Sequence, residues 1–274
     1  MTQETNKIAI YPLFNFQASE ELADKLKNGF HFSNKAILRQ IRNEEIDRFR
    51  QTYPYFWRDG AFLITEIRKK TFVFEIRDNN RADLFVYEIL LAMRLYKSGS
   101  IFCKLFRIED KTKTIGFGSI TPPVPTDQST YLLSINELEE IDGLVNKINK
   151  LNLDKNNAFR VACERFSRSY EERREDDKII DLAIAFEALF TDRESRLTQM
   201  GKFVGVGCSM LIGKNTKERK EIKQFMEQAF SKRNDIVHSN DFKPIIEING
   251  KKYWMNDFVT QFQKYLRDSI KKLL

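Results

Sequence analysis

The chain contains only two histidines, His31 and His238, so imidazole-based proton transfer near neutrality has two possible places. His238 closes the run Arg233-Asn-Asp-Ile-Val-His238, so a guanidinium, an amide and an imidazole fall within six residues. A guanidinium suits a phosphodiester because its planar fork donates two parallel hydrogen bonds to phosphate oxygens. An imidazole suits general acid or base work because its charge changes near neutral pH. On a helix, Asn234 and His238 stand at i and i+4 on one face, and the long Arg233 side chain can reach round to the same point. The chemistry that this trio serves is the binding and protonation of a phosphodiester. His31 lies between aromatics in Asn28-Gly-Phe-His-Phe-Ser33, just ahead of an expected helix, and reads as structural.

Glu187 is the one carboxylate that calls for a partner. Its helical neighbours are Ala183, Ile184 and Phe190, so it projects from an apolar face, where an unpaired charge is costly. Arg233 is the first candidate for the pairing cation, with Arg196 and Lys202 as alternatives. Two roles remain open for Glu187, an orienter of Arg233 and a purely structural ion pair.

Charge is spread unevenly. Residues 1–200 hold 31 Lys and Arg against 31 Asp and Glu, whereas residues 201–274 hold 15 against 8 and so carry the whole net charge of +7. A basic C-terminal region favours a polyanion, of which RNA or DNA is the usual case. A solvated helix face bearing Lys217, Arg219, Lys220 and Lys223 is the competing account. Cys103, Cys163 and Cys208 are far apart and have no C-x-x-C spacing, which argues against a disulfide framework and a zinc site. With no clustered ligands, neither a metal nor a cofactor is expected. Met1–Lys7 is polar, and no apolar run approaches the roughly 20 residues of a membrane span, so a cytoplasmic location away from any membrane is expected. Gly207–Lys214 imitates a P-loop, but the spacing is one residue too long and Asn215 stands where Ser or Thr belongs. Arg48–Arg58, with Tyr53, Tyr55, Phe56 and Trp57, reads as a packed helix-to-strand connection.

These residues need elements to hold them. Ile8-Ala-Ile-Tyr-Pro reads as a strand, residues 33–51 as a helix on the spacing of Ile37, Leu38, Ile41 and Phe49, and Ala61–Ile67 with Thr71–Arg77 as a hairpin. Asp83–Lys97 reads as a helix stopped near Gly99, followed by a strand pair, Ile101–Ile108 and Thr114–Ile120. The proline-rich stretch 121–129 reads as a linker. Beyond it the pattern turns helical. Helices open at the capping box Ser134-Ile-Asn-Glu137, after Asp154, at about 177 and at about 196, where Gly201 and Gly205 allow close packing. The next opens at the capping box Asn215-Thr-Lys-Glu218 and runs through 233–238. A last helix near 254–272 places Trp254, Phe258, Phe262, Leu266 and Ile270 on one stripe, and Asn249-Gly250 signals a small hairpin before it. The fold class expected is α+β, with a mixed α/β N-terminal domain over residues 1–130 that senses or regulates. An all-α helical bundle with a small β-hairpin insertion follows over 131–274.

The segment from Asp177 to about Asn240 resembles the HEPN superfamily, and within it the Apea-like branch. The residues that carry the resemblance are Ile180-Asp-Leu-Ala-Ile-Ala-Phe-Glu-Ala-Leu-Phe190, Glu194-Ser-Arg-Leu197, the small-residue helix Gly201–Leu211, and Phe230-Ser-Lys-Arg-Asn-Asp-Ile-Val-His238. The family pattern is an acidic residue in an alanine- and leucine-rich helix, then an Arg-polar-x(3 to 5)-His motif at a helix end. Many relatives carry Gly after the His, where this chain has Ser239. The resemblance implies a metal-independent endoribonuclease of the toxin or phage-defence kind. His238 would be general acid/base, Arg233 would hold the scissile phosphate and Asn234 would orient the His or touch RNA. Glu187 would support them, and Lys232, Arg196 and Lys202 would bind substrate. Attack by the RNA 2′-OH would leave a 2′,3′-cyclic phosphate and a 5′-OH. The partners implied are RNA, a second copy forming a composite-site homodimer, and an antitoxin or regulatory protein. The rival expectation is a non-catalytic HEPN module that binds a nucleotide, RNA or a protein.

Overall fold

A computed structural model describes residues 8–52, 71–77, 81–99, 101–103, 106–110, 113–116, 130–151, 153–191, 199–239, 244–248 and 250–274. The chain divides into two units, residues 1–150 and 151–274. In chain order the first has β1 (Ile8–Phe14), β2 (Phe16–Ala18), α1 (Glu20–Lys25), β3 (Phe30–His31), β4 (Ile37–Gln40), α2 (Asn43–Thr52), β5 (Phe72–Ile76), α3 (Ala82–Tyr96), β6 (Phe102–Cys103), β7 (Phe106–Asp110), β8 (Lys113–Gly116), β9 (Tyr131–Leu133) and α4 (Ile135–Leu151).

β1 is buried from Ala9 to Phe14, and a strand without a polar face must be covered on both sides. It lies inside an antiparallel sheet ordered β3-β4-β5-β1-β7-β8, with β6 also paired to β1. β6 and β7 share one register along the same β1 edge, Leu13 facing Cys103 and Ile10 facing Phe106. Side chains alternate across the strands. One face carries Ile10, Phe14 and Val73, packed with Ile46 of α2. On the other, the Tyr11 hydroxyl donates to Asp83 of α3 at 2.7 Å.

One sequence expectation changes here. Residues 33–51 are not one helix: Ile37–Gln40 is a strand, and the helix starts at Asn43. Apolar Ile37, Leu38 and Ile41 fit both periods, and pairing with β5 decides for the strand. Its Arg39 is 5% exposed and donates to Glu75 at 2.6 Å and to both oxygens of Glu45. Of the expected strand Thr71–Arg77, Phe72–Ile76 forms β5, which pairs with β1 on one edge and β4 on the other. Residues 61–67, the stretch 53–58 and the proline-rich 121–129 lie outside the described residues.

The boundary falls at 150/151 rather than at 130/131, so α4 belongs to the first unit. Polar contacts tie it there: Lys97 donates to Glu137 at 2.5 Å, and Asp142 accepts from the Ser33 backbone at 2.7 Å. One half of its expected capping box forms, with Glu137 accepting from the Ser134 amide at 2.8 Å, while the Glu137 amide donates to the Ser134 carbonyl at 3.3 Å.

The second unit contains α5 (Asn157–Arg168), α6 (Glu175–Phe190), α7 (Met200–Ile212), α8 (Thr216–Ser239), β10 (Ile245–Ile248), β11 (Lys251–Trp254) and α9 (Met255–Leu273). Its core is aromatic: Phe186 stacks on Phe262 at 5.0 Å and Phe225 on Phe258 at 4.8 Å. Loss of one such ring costs about 3–5 kcal/mol. Phe258, Phe262, Leu266 and Ile270 form the buried stripe of α9, but Trp254 does not join it. Trp254 caps the helix from the end of β11 in an extended conformation and is 62% exposed. Among the described residues, no helix is long and apolar enough to cross a membrane.

Candidate functional site

α8 positions the Arg-Asn-x-x-x-His run. The Asn215 side chain accepts from the Glu218 amide at 3.0 Å, and Glu218 in turn accepts from the Lys214 amide at 2.9 Å, which starts the helix firmly. The helix persists through Ser239, so the whole motif is helical and sits in its last two turns. α7 braces it through two glycines. A Cβ on Gly201 would come 2.8 Å from the Phe230 Cβ, and one on Gly205 would come 3.0 Å from the Lys223 carbonyl oxygen. Only glycine permits this approach, one turn before Arg233.

Arg233 is the structured member of the motif. Its Nη2 lies 3.8 Å from Glu187 Oε1 on α6, and each side chain is 28% exposed. Its Nη1 donates to Asn234 Oδ1 at 3.1 Å, which turns the guanidinium toward the His238 face of the helix. Its Nε is buried and has no hydrogen-bond partner among the described residues, so the edges of the guanidinium that meet other groups are those of Nη1 and Nη2. Asn234 and His238 are exposed. The cluster can therefore fix an anion at Arg233 while His238 remains open to solvent and substrate.

The remaining expected residues divide. Lys202 is exposed in the first turn of α7 beside Gly201. Lys232 is only 6% exposed, on the side of α8 that also buries Ala229 and Phe230. Arg196, with Glu194–Leu197, lies outside the described residues. His31 is exposed in β3 of the first unit.

Asp181 was not singled out from sequence. It accepts from Arg165 at 2.6 Å and lies 3.4 Å from Arg168, both on α5. Burial pushes its carboxyl up against the pull of these two cations. Asp181 thus ties α6 to α5 while Glu187 ties it to α8, and only the second pairing touches the motif.

Burial pushes the Cys163 and Cys208 thiols up to about 12, away from the thiolate form. Among the described residues, no group of three or more His, Cys, Asp or Glu is disposed to hold a metal ion. Comparison with known protein families, with curated proteins and with solved structures finds no match to this chain.

Proposed function

We propose that the second unit is a HEPN-type helical domain and that the chain is a metal-independent endoribonuclease. The observation that carries this reading is Arg233, half-buried and braced by Glu187 and Asn234, on the same helix end as an exposed His238. In the proposed reaction the RNA 2′-oxygen attacks the adjacent phosphorus and loses its proton to a base. The P–O5′ bond breaks and an acid protonates the leaving oxygen, giving a 2′,3′-cyclic phosphate and a 5′-OH. Arg233 stabilises the charge that gathers on the phosphate oxygens, and His238 transfers the proton.

A base and an acid are both needed, yet one chain offers one histidine in the motif. A homodimer that sets two Arg233–His238 segments face to face supplies the second, and two-fold pairing is the commonest oligomer arrangement. The glycine face of α7 is spent on α8, but its outer face presents Phe203, Val206 and Met210, which are 48%, 48% and 60% exposed. This stripe, at i, i+3 and i+7, is the apolar contact in the proposed dimer. A toxin or phage-defence setting in the cytoplasm, with an antitoxin or regulatory partner, rests on the resemblance alone, as does a sensing role for the N-terminal domain.

The test is incubation of purified protein with total RNA in excess EDTA, with the cleavage ends mapped. Loss of the acid/base group should cost about 10²- to 10⁴-fold in His238→Ala. Arg233→Ala should fall comparably, while His31→Ala stays near wild type. Full activity in His238→Ala overturns the reading. Light scattering beside specific activity across dilution checks the dimer, which is excluded by a monomer of undiminished activity per molecule.

A further inference from the structure

The hairpin β10–β11 leaves a large aromatic residue in solvent. Ile246 and Ile248 turn inward, while Ile245 and Glu247 face out. Residues directly opposite share a face, so Trp254, paired with Ile245, and Lys252, paired with Glu247, are on the outer side. Trp254 is 62% exposed and Ile245 40%. Lys252 is exposed on this face opposite Glu247, whereas Lys251, paired with Ile248, is on the other face, with its Nζ 4.6 Å from the Tyr253 ring centre. The exposed indole beside Ile245 offers a flat face on which a nucleobase can stack, and the basic surplus of residues 201–274, 15 Lys and Arg against 8 Asp and Glu, attracts the polyanionic strand that carries it.

The placement fits the motif on α8. The Tyr253 ring packs edge-on against Phe225 of α8 at 6.0 Å. Phe225 precedes His238 by thirteen residues on that helix, about 20 Å at 1.5 Å per residue. The open end of the hairpin, where Ile245 and Trp254 meet, is also the end joined to the His238 end of α8. A single strand with its phosphate at Arg233 would have to span about that distance, a few nucleotides, and follow the hairpin to its outer face to reach Trp254.

We propose that Trp254 is a base-stacking platform for single-stranded RNA, a few nucleotides from the bond at Arg233 and His238. This inference rests on RNA being the ligand of the second unit, and not on its being cut. The measurement is binding of a labelled oligouridylate long enough to span about 20 Å, beside the dinucleotide uridylyl-uridine, followed by anisotropy. Indole emission is read in a Trp57→Phe background, where Trp254 is the sole tryptophan. Trp254→Ala should weaken oligonucleotide binding about 5- to 150-fold, the worth of one stacked base, and leave the dinucleotide unaffected. Trp254→Phe should bind nearly as well as wild type. In the Trp57→Phe background, RNA should quench the indole.

Equal affinity in Trp254→Ala overturns the proposal. So does a loss shared by oligonucleotide and dinucleotide, or indole emission that follows protein concentration rather than RNA, which would mark a protein contact. The His238→Ala protein keeps the two questions apart: it should bind and quench like wild type without cutting. RNA that quenches Trp254 but is never cleaved by wild type would defeat the nuclease reading and leave this one standing.

Discussion

Glu187→Gln tests how Arg233 is held. The two charges are 3.8 Å apart, too far for a hydrogen bond, so they interact through charge alone. At that separation the attraction is about 4 kcal/mol for an effective dielectric near 20. Both groups keep 28% of their surface in water, where exposed pairs retain only about 0.2–1 kcal/mol after desolvation and screening. The net coupling should therefore lie near the top of that range, about 1 kcal/mol. A double-mutant cycle with Glu187→Gln, Arg233→Gln and the double variant, each unfolded in urea, measures it directly. Coupling below about 0.3 kcal/mol, the usual limit of additivity, refutes the ion pair. If the same 1 kcal/mol also orients the guanidinium during reaction, kcat in Glu187→Gln should fall about fivefold. RNA binding should then be unchanged or tighter, because a neighbouring negative charge is gone. A measurable coupling with unaltered kcat would assign Glu187 to structure alone.

Two further outcomes follow from packing and charge. Gly201→Ala should destabilise by up to about 2 kcal/mol, since overpacking against Phe230 costs about 1–3 and helix propensity returns about 1. Gly143→Ala, with nothing within 4 Å of its added Cβ, should stabilise by about 0.5–1 kcal/mol, and a Gly201→Ala protein stabilised to the same extent would contradict the close approach. For Glu75, burial acts to raise the carboxyl, but hydrogen bonds from Arg39 and Arg77 overcome it and hold it below the ordinary glutamate range. A lowered folded value adds stability above the unfolded one, near pH 4.3, and that stability is lost as pH falls through the folded value. Glu75→Gln should therefore flatten the decline in urea stability below about pH 4, and an unchanged acid slope would sink this assignment.

What could be read from sequence was mostly local. The cap of α8 needs only Asn215 and Glu218, and the hairpin turn needs Gly250, which adopts φ +76°. The partner of Glu187 was legible because a carboxylate among apolar neighbours demands a cation, and few cations were in reach. β4 was not legible, because what makes it a strand is β5 and the burial of Arg39 between Glu45 and Glu75. Periodicity extended the α9 stripe one residue too far, since helical spacing continues through the cap and cannot mark where Trp254 turns outward. The burial of Lys232 was not legible either, because which side of α8 turns inward depends on what packs against it. Asp181 depends on two arginines of another helix, a relation that no spacing along one helix displays.

The distribution of charge links these details to the proposed function. In the first unit the buried charges are answered internally: Arg39 by Glu45 and Glu75, and Glu88 by the Asn34 amide at 3.1 Å. In the second unit, at least seven carboxylates are engaged by cations of the same unit, among them Asp181 by Arg165, Glu187 by Arg233 and Asp268 by Lys264. Lys217, Lys220, Lys223, Lys251, Lys252, Lys271 and Lys272 meanwhile stay exposed. Exposed lysines attract a polyanion without fixing its position, because each is a mobile point charge whose grip weakens with salt. Arg233 differs, since its planar fork is held from two sides, by Glu187 and by Asn234. On the proposed reading, the lysines deliver the strand and Trp254 holds a base at a distance. Arg233 then selects which phosphate comes to rest beside His238. Affinity and positioning thus fall to different residues, so removing a lysine should alter how much RNA is bound, whereas removing Arg233 should alter what is done to it.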